Sequence, residues 1–108
     1  MPIGATYALD IGLIMNTFVT TVTTTSSTLL LANTNRKYLL LKNVDHSGSS
    51  TVYVRFDASP VTITGDVSNG FPLENGIEYT FPKGFIYTGE IRVITDSTNT
   101  PFAVIEGS

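Results

Sequence analysis

STVYVRFDA, residues 50–58, alternates between two kinds of side chain without a break. Val52, Val54 and Phe56 fall on one face, and Thr51, Tyr53, Arg55 and Asp57 on the other. A period of two is that of a strand with one buried side. A helix would need apolar residues three and four apart, and β-branched valines favour the pleated backbone. Pro60 closes this strand, because proline cannot donate to a ladder.

The neighbouring segments read the same way. Downstream, VTIT (61–64) predicts a brief strand and GDVSNG (65–70) a loop. PLENG (72–76) is a turn signal before IEYTF, where Ile77, Tyr79 and Phe81 are expected to face inward and Glu78 and Thr80 outward. PKG (82–84) breaks that strand. FIY (85–87) predicts a short β-like bridge, EIRVITD (90–96) a strand with Ile91 and Val93 inward, and FAVIE (102–106) the last strand after the turn STNTP. Upstream, KYLLLKNV (37–44) is a short apolar run, as expected of a strand buried on both faces. NTNR (33–36) and DHSGSS (45–50) are polar turns. FVTTVTTTSSTLLLA (18–32) predicts two strands broken at Ser26-Ser27.

The expectation is an all-β fold: an antiparallel β-sandwich, jelly-roll-like, of about eight short strands. Residues 18–108 form its single domain. Residues 1–17, MPIGATYALDIGLIMNT, carry Ile3, Tyr7, Leu9, Ile11, Leu13, Ile14 and Met15 with no one period over the whole stretch. They are a first strand packed on their own domain, a short helix near Ala8–Met15, or an arm that becomes ordered on a neighbouring subunit or another partner.

Composition narrows the function. The chain has 108 residues, 42% hydrophobic and only 14% charged; roughly a quarter charged is usual. Threonine, serine, asparagine and glycine replace the missing charge, as suits strands, turns and surfaces buried against neighbours. Net charge is −3, and six lysines and arginines lie scattered, so no basic stripe invites nucleic acid. There is no cysteine, which excludes disulfides, thiolate metal sites and thiol catalysis. Ala8–Met15 lacks a basic start, contains Asp10 and is too short to span a bilayer; neither a signal peptide nor a membrane helix is expected.

Catalytic constellations are poorly represented. His46 is the one histidine, and Asp45 and Ser47 beside it in the chain point away in an extended loop, so a triad is not expected. Nor can His46 alone hold zinc. Glu74 with Glu78, or Asp57 with Asp66, are the nearest carboxylate pairs, but without tryptophan there is no obvious sugar platform for glycoside hydrolysis. Asp96 and Asn99 lack the dense oxygen spacing of a calcium loop. The expectation is a non-enzyme with no cofactor and no metal. Phe85 and Tyr87 lie outside the clean alternation and are candidate contact residues, as is Tyr7.

The segment Asn33–Asn43 reads N-x-x-R-x-x-L-x-x-x-N, and is followed by VYVRF, PLENG with IEYTF, GEIRVITD and a short closing strand. Over roughly residues 19–106 this order resembles the small β-sandwich proteins of tailed-phage heads: cement or decoration proteins and the base domains of head fibres. The resemblance implies that Arg36 is structural, its turn delivering the guanidinium to backbone carbonyls or a carboxylate, with Asn33 and Asn43 capping the turn and the strand end. It also implies a homotrimer seated on the major capsid protein at the outer surface of a virion assembled in the host cytoplasm. Ile3, Tyr7, Leu9, Ile11, Leu13 and Ile14, with Phe85 and Tyr87, are then the expected capsid or subunit contacts. The alternative is a glycan- or receptor-binding module of a head fibre or tail, read through loops 45–50, 65–70 and 96–101.

Overall fold

The computed structural model describes residues 13–46, 48–65, 67–82, 84–97 and 99–108. Ile3, Tyr7, Leu9 and Ile11 lie outside them. Among the described residues the chain is all-β with no helix. Ten strands follow in order: β1 (Met15–Val22), β2 (Ser27–Leu30), β3 (Tyr38–Asn43), β4 (Val52–Arg55), β5 (Ile63–Thr64), β6 (Val67–Ser68), β7 (Phe71–Leu73), β8 (Glu78–Thr80), β9 (Ile91–Thr95) and β10 (Thr100–Gly107).

Every pairing is antiparallel. One four-stranded sheet has the order β1-β10-β3-β8, the other β2-β9-β4-β7, and β5-β6 is a small separate hairpin. The chain passes from one four-stranded sheet to the other between β1 and β2, β2 and β3, β3 and β4, β7 and β8, β8 and β9, and β9 and β10. A sequence of strands that alternates between two sheets must place both against one core. Val22, Leu39, Leu41, Phe102 and Val104 of the first sheet pack with Leu30, Val52, Val54, Leu73, Ile91 and Val93 of the second. Each such side chain contributes about 1.5–3 kcal/mol on full burial.

The alternation in β4 holds: Val52 and Val54 are buried and Tyr53 and Arg55 are half-buried. The 18–32 run holds two strands, but the first begins at Met15, inside the 1–17 segment, and the break falls at 23–26, before Ser27; Ile91 and Val93 face the core. Elsewhere the fold departs from the sequence reading. β3 buries Leu39, Leu41 and Asn43 but only half-covers Leu40 and Lys42, so it has one core face where two were expected. Residues 71–73 are an edge strand on β4, with Pro72 opposite Tyr53; an edge tolerates proline because that backbone position needs no ladder donor. The turn itself falls at 74–77, closed by the Ile77 amide on the Glu74 carbonyl at 2.9 Å. Gly76 there has φ 81°, a conformation that glycine adopts without strain. Ile77 is exposed, and only Tyr79 and Phe81 of its set turn inward. Residues 85–87 form no strand; Phe85 closes a turn on the Pro82 carbonyl at 3.1 Å.

Candidate functional site

The two outer sheet faces differ in chemistry. On the β2-β9-β4-β7 sheet, Arg92 stands opposite Arg55 and Thr28. Like charges across a ladder repel, and each arginine is neutralised locally. Arg55 pairs with Asp57 at 2.5 Å, and Arg92 lies 3.4 Å from Glu90, which accepts the Thr28 hydroxyl at 2.6 Å. The Arg55 guanidinium and the Ser59 amide hold Asp57 below the usual carboxylate range. The Thr28 hydroxyl is the larger influence lowering Glu90, with Arg92 adding to it. Residues 57–65 and 67–70 fold back over this face: Val61 is buried, and Arg55 also donates to the Asn69 carbonyl at 2.9 Å. This face is occupied by its own chain.

Among the described residues nothing covers the outer face of the β1-β10-β3-β8 sheet, which is bare. Its core-facing residues are Val22, Phe102, Val104, Leu39 and Leu41, so the alternate positions point outward. The register aligns them in rows. Val19, Ala103, Lys42 and Glu78 form one row, and Thr17, Ile105, Leu40 and Thr80 the next; Met15, Gly107 and Tyr38 form the last. Charge occurs only in the first row, at Lys42 and Glu78. Val19 is 64% exposed and Met15 49%. A methyl group on Gly107 would stand 2.7 Å from the Met15 sulfur and 3.1 Å from the Tyr38 Cβ. The glycine thus lets Met15 and Tyr38 close over it into one surface.

At Tyr38 this face opens into a groove of about 650 Å³, lined by Lys37, Tyr38, Leu39, Thr80, Phe81, Pro82, Gly84, Phe85 and Ile86. Its cause is a mismatch in strand length. β3 pairs with β8 only from Leu40 to Lys42, and Pro82 then turns the chain away. Tyr38 and Leu39 are left beside open space on that side. Phe85 stands over the groove, 61% exposed, with its ring edge-on to Phe81 at 5.8 Å. Phe81 in turn packs on Tyr79 and Phe56 at 5.2 and 5.1 Å. An exposed aromatic anchored to a half-buried stack is a contact element of the kind that concentrates binding energy.

Arg36 holds this end of the molecule together. It is wholly buried. Its Nε donates to Glu106 Oε2 at 2.8 Å, Nη1 to the Tyr87 and Gly89 carbonyls at 2.8 and 3.1 Å, and Nη2 to the Leu31 carbonyl at 2.9 Å. Asn33 Nδ2 donates to the same carboxylate oxygen at 3.3 Å, while its Oδ1 accepts from the Asn35 amide at 3.0 Å. Asn43, also buried, donates to the Ser50 and Leu73 carbonyls at 2.9 and 3.0 Å and accepts from the Asp45 amide. These three residues are positioning groups.

The expected contact residues separate. Leu13 and Ile14 are exposed at the entry to β1. Phe85 is on the groove, whereas Tyr87 is half-buried, with its ring edge-on to Phe56 and its carbonyl on Arg36. Val19 and Ile105 of the bare face are absent from the sequence's candidates, and Met15 enters there only as one of the apolar residues of the 1–17 segment. A usable signal was present: residues 16–35 contain no charged side chain, so neither face of β1 could be assigned to water. The loops spend polar groups on themselves. Ser50 Oγ donates to Asp45, Asn75 to the Gly48 carbonyl, and Asp96 accepts from the Thr51 amide. Among the described residues no three of His, Asp and Glu gather where a metal ion could be held.

No family model matches the chain, and no curated protein or solved structure matches it either.

Proposed function

We propose that this chain is a structural protein of a tailed-phage virion, a cement or decoration protein without catalytic activity. It binds the outer surface of the head and bridges capsid subunits. The observation that carries this reading is the bare, nearly uncharged outer face of the β1-β10-β3-β8 sheet, continuous with the Tyr38–Phe85 groove, on a molecule whose other face is covered by its own loop. Depletion of charge and enrichment of exposed aromatics mark the core of a protein interface.

The strand order supports a jelly-roll-like sandwich within the same proposal. Numbering only the eight sheet strands, the first, eighth, third and sixth make one sheet and the second, seventh, fourth and fifth the other. Two interleaved Greek keys have that order, and the fold is common in capsid and lectin domains. The mechanism is mechanical. A protein that binds the assembled shell and not its separated subunits stabilises the shell by mass action. The low charge also supports a homotrimer, which would bury further apolar surface.

The test is co-sedimentation with empty heads from the host that makes this chain. Binding that saturates, and that protects the heads against heat, supports the proposal. Failure to bind heads, together with binding on a glycan array, would favour a receptor-binding module instead.

A further inference from the structure

We infer that the Tyr38–Phe85 groove receives the segment Tyr7–Leu13 of a second copy of this chain, laid as an added strand beside β3. The inference deepens the homotrimer of the proposed function, assigning the groove to a neighbouring copy and leaving the sheet face beside it to the shell. Among the described residues the groove is an unfilled piece of sheet edge: β3 runs two residues past the end of β8 there, at Tyr38 and Leu39. Such an edge takes an extended peptide through its main chain, and pockets for alternate side chains set specificity.

The chain itself supplies a matching peptide. Within residues 1–17, the seven residues YALDIGL place Tyr7, Leu9, Ile11 and Leu13 at a spacing of two, with Ala8, Asp10 and Gly12 between them. That is the pattern of a strand with one apolar face. Asp10 is the segment's one charge, and Lys37, exposed at the rim, is the one charged side chain lining the groove among the described residues. Opposite charges at the rim steer and fix register.

The geometry at Ile14 selects a second copy over the chain's own groove. Ile14 and Ser108 exchange backbone hydrogen bonds of 2.7 and 3.1 Å, so the β1 ladder continues past Met15 and directs the chain along the strand axis. β1 is the far edge of the sheet, with β10 and β3 between it and the groove. At about 4.8 Å per strand, the slot beside β3 lies roughly 14 Å to the side. Reaching it in the same molecule requires an abrupt sideways turn across Ser108 and Lys37. An extended segment of seven residues, about 23 Å long, enters a neighbour's groove without that turn.

The chain has no cysteine, so engineered pairs report cleanly. Leu9→Cys in an affinity-tagged chain and Phe85→Cys in an untagged one are mixed and oxidised at low protein concentration. A tagged–untagged disulfide dimer is expected, at several times the yield given by either variant alone. In the double variant, covalent oligomers should replace the monomer band. An intramolecular link in the double variant, with no mixed dimer, would show that the chain fills its own groove and would overturn the inference. Absence of either link in variants that keep β-type circular dichroism would overturn it as well. Should Phe85→Cys lose that signal, Pro82→Cys in the same groove serves in its place.

Discussion

Arg36 and Glu106 are 70 positions apart in the chain and 2.8 Å apart in space. The arginine belongs to the turn before β3 and the glutamate to the end of β10, so their pair locks the central strand of one sheet to the turn feeding its neighbour. Through the Leu31, Tyr87 and Gly89 carbonyls the same guanidinium also fastens two connections between the sheets. Arg36→Ala takes its donors from the Leu31, Tyr87 and Gly89 carbonyls and leaves the partly buried Glu106 carboxylate without its cation, with the weaker Asn33 hydrogen bond remaining. Loss of about 3–5 kcal/mol is expected, measured by urea denaturation. Arg36→Lys should recover only part of it, because an ammonium lacks the planar fork. A loss below about 0.5 kcal/mol, the range of an ordinary surface change, would mean that the pair does not hold this end.

Asn43 offers a test in which sign matters. Its amide donates to two carbonyls from a buried position. Asn43→Ala should cost about 1–3 kcal/mol through unsatisfied groups. Asn43→Asp places acceptors against acceptors and a charge in the core, so it should be worse than alanine at neutral pH. Part of that deficit should return in acid, where the carboxyl becomes protonated and can donate. Equal midpoints for the two variants across pH would contradict this placement.

Acid sensitivity should come from the covered face. Asp57 and Glu90 are both held below the usual carboxylate range, by Arg55 and by the Thr28 hydroxyl respectively. A depressed folded-state pKa means that the unfolded chain binds protons first. Their contribution is therefore complete above the ordinary carboxylate pKa and is lost as pH falls through it toward the lower folded values. The thermal midpoint should stay level near neutrality and drop below about pH 4. Asp57→Asn should flatten part of that drop; an unchanged acid profile would remove Asp57 from the account.

Removal of residues 2–12 tests the arm apart from the shell. Among the described residues those buried between the two sheets run from Val22 to Val104, and β-type circular dichroism should persist. Light scattering should show the truncated chain reduced to a lower mass than the full chain. Loss of the β signal would make those residues part of the fold itself.

Much of the strand pattern was legible because it rests on local alternation, as in Val52, Val54 and Phe56. The failures have physical causes. Pro72 read as a turn because proline breaks interior strands, yet an edge position beside Tyr53 accepts it. Ile77 continued the alternation of Tyr79 and Phe81, but it sits at the turn before β8 starts, where nothing covers it. The resemblance implied the kind of partner Arg36 takes, carbonyls or a carboxylate, but not which residue, since only the sheet order brings Glu106 to it. The bare face was hidden for a related reason: Val19, Ile105 and Leu40 are on three strands distant in sequence, and their alignment exists only once the register is set.

The most direct measurement is co-sedimentation of the intact chain and its Val19→Asp variant with empty phage heads. Val19 is 64% exposed on the bare face, and an exposed substitution of this kind should move stability by no more than about 0.5 kcal/mol. The intact chain should pellet with the heads to saturation, while the folded Val19→Asp variant should remain in the supernatant. Equal binding by both would contradict docking through this face, and no binding by either would contradict a cement role.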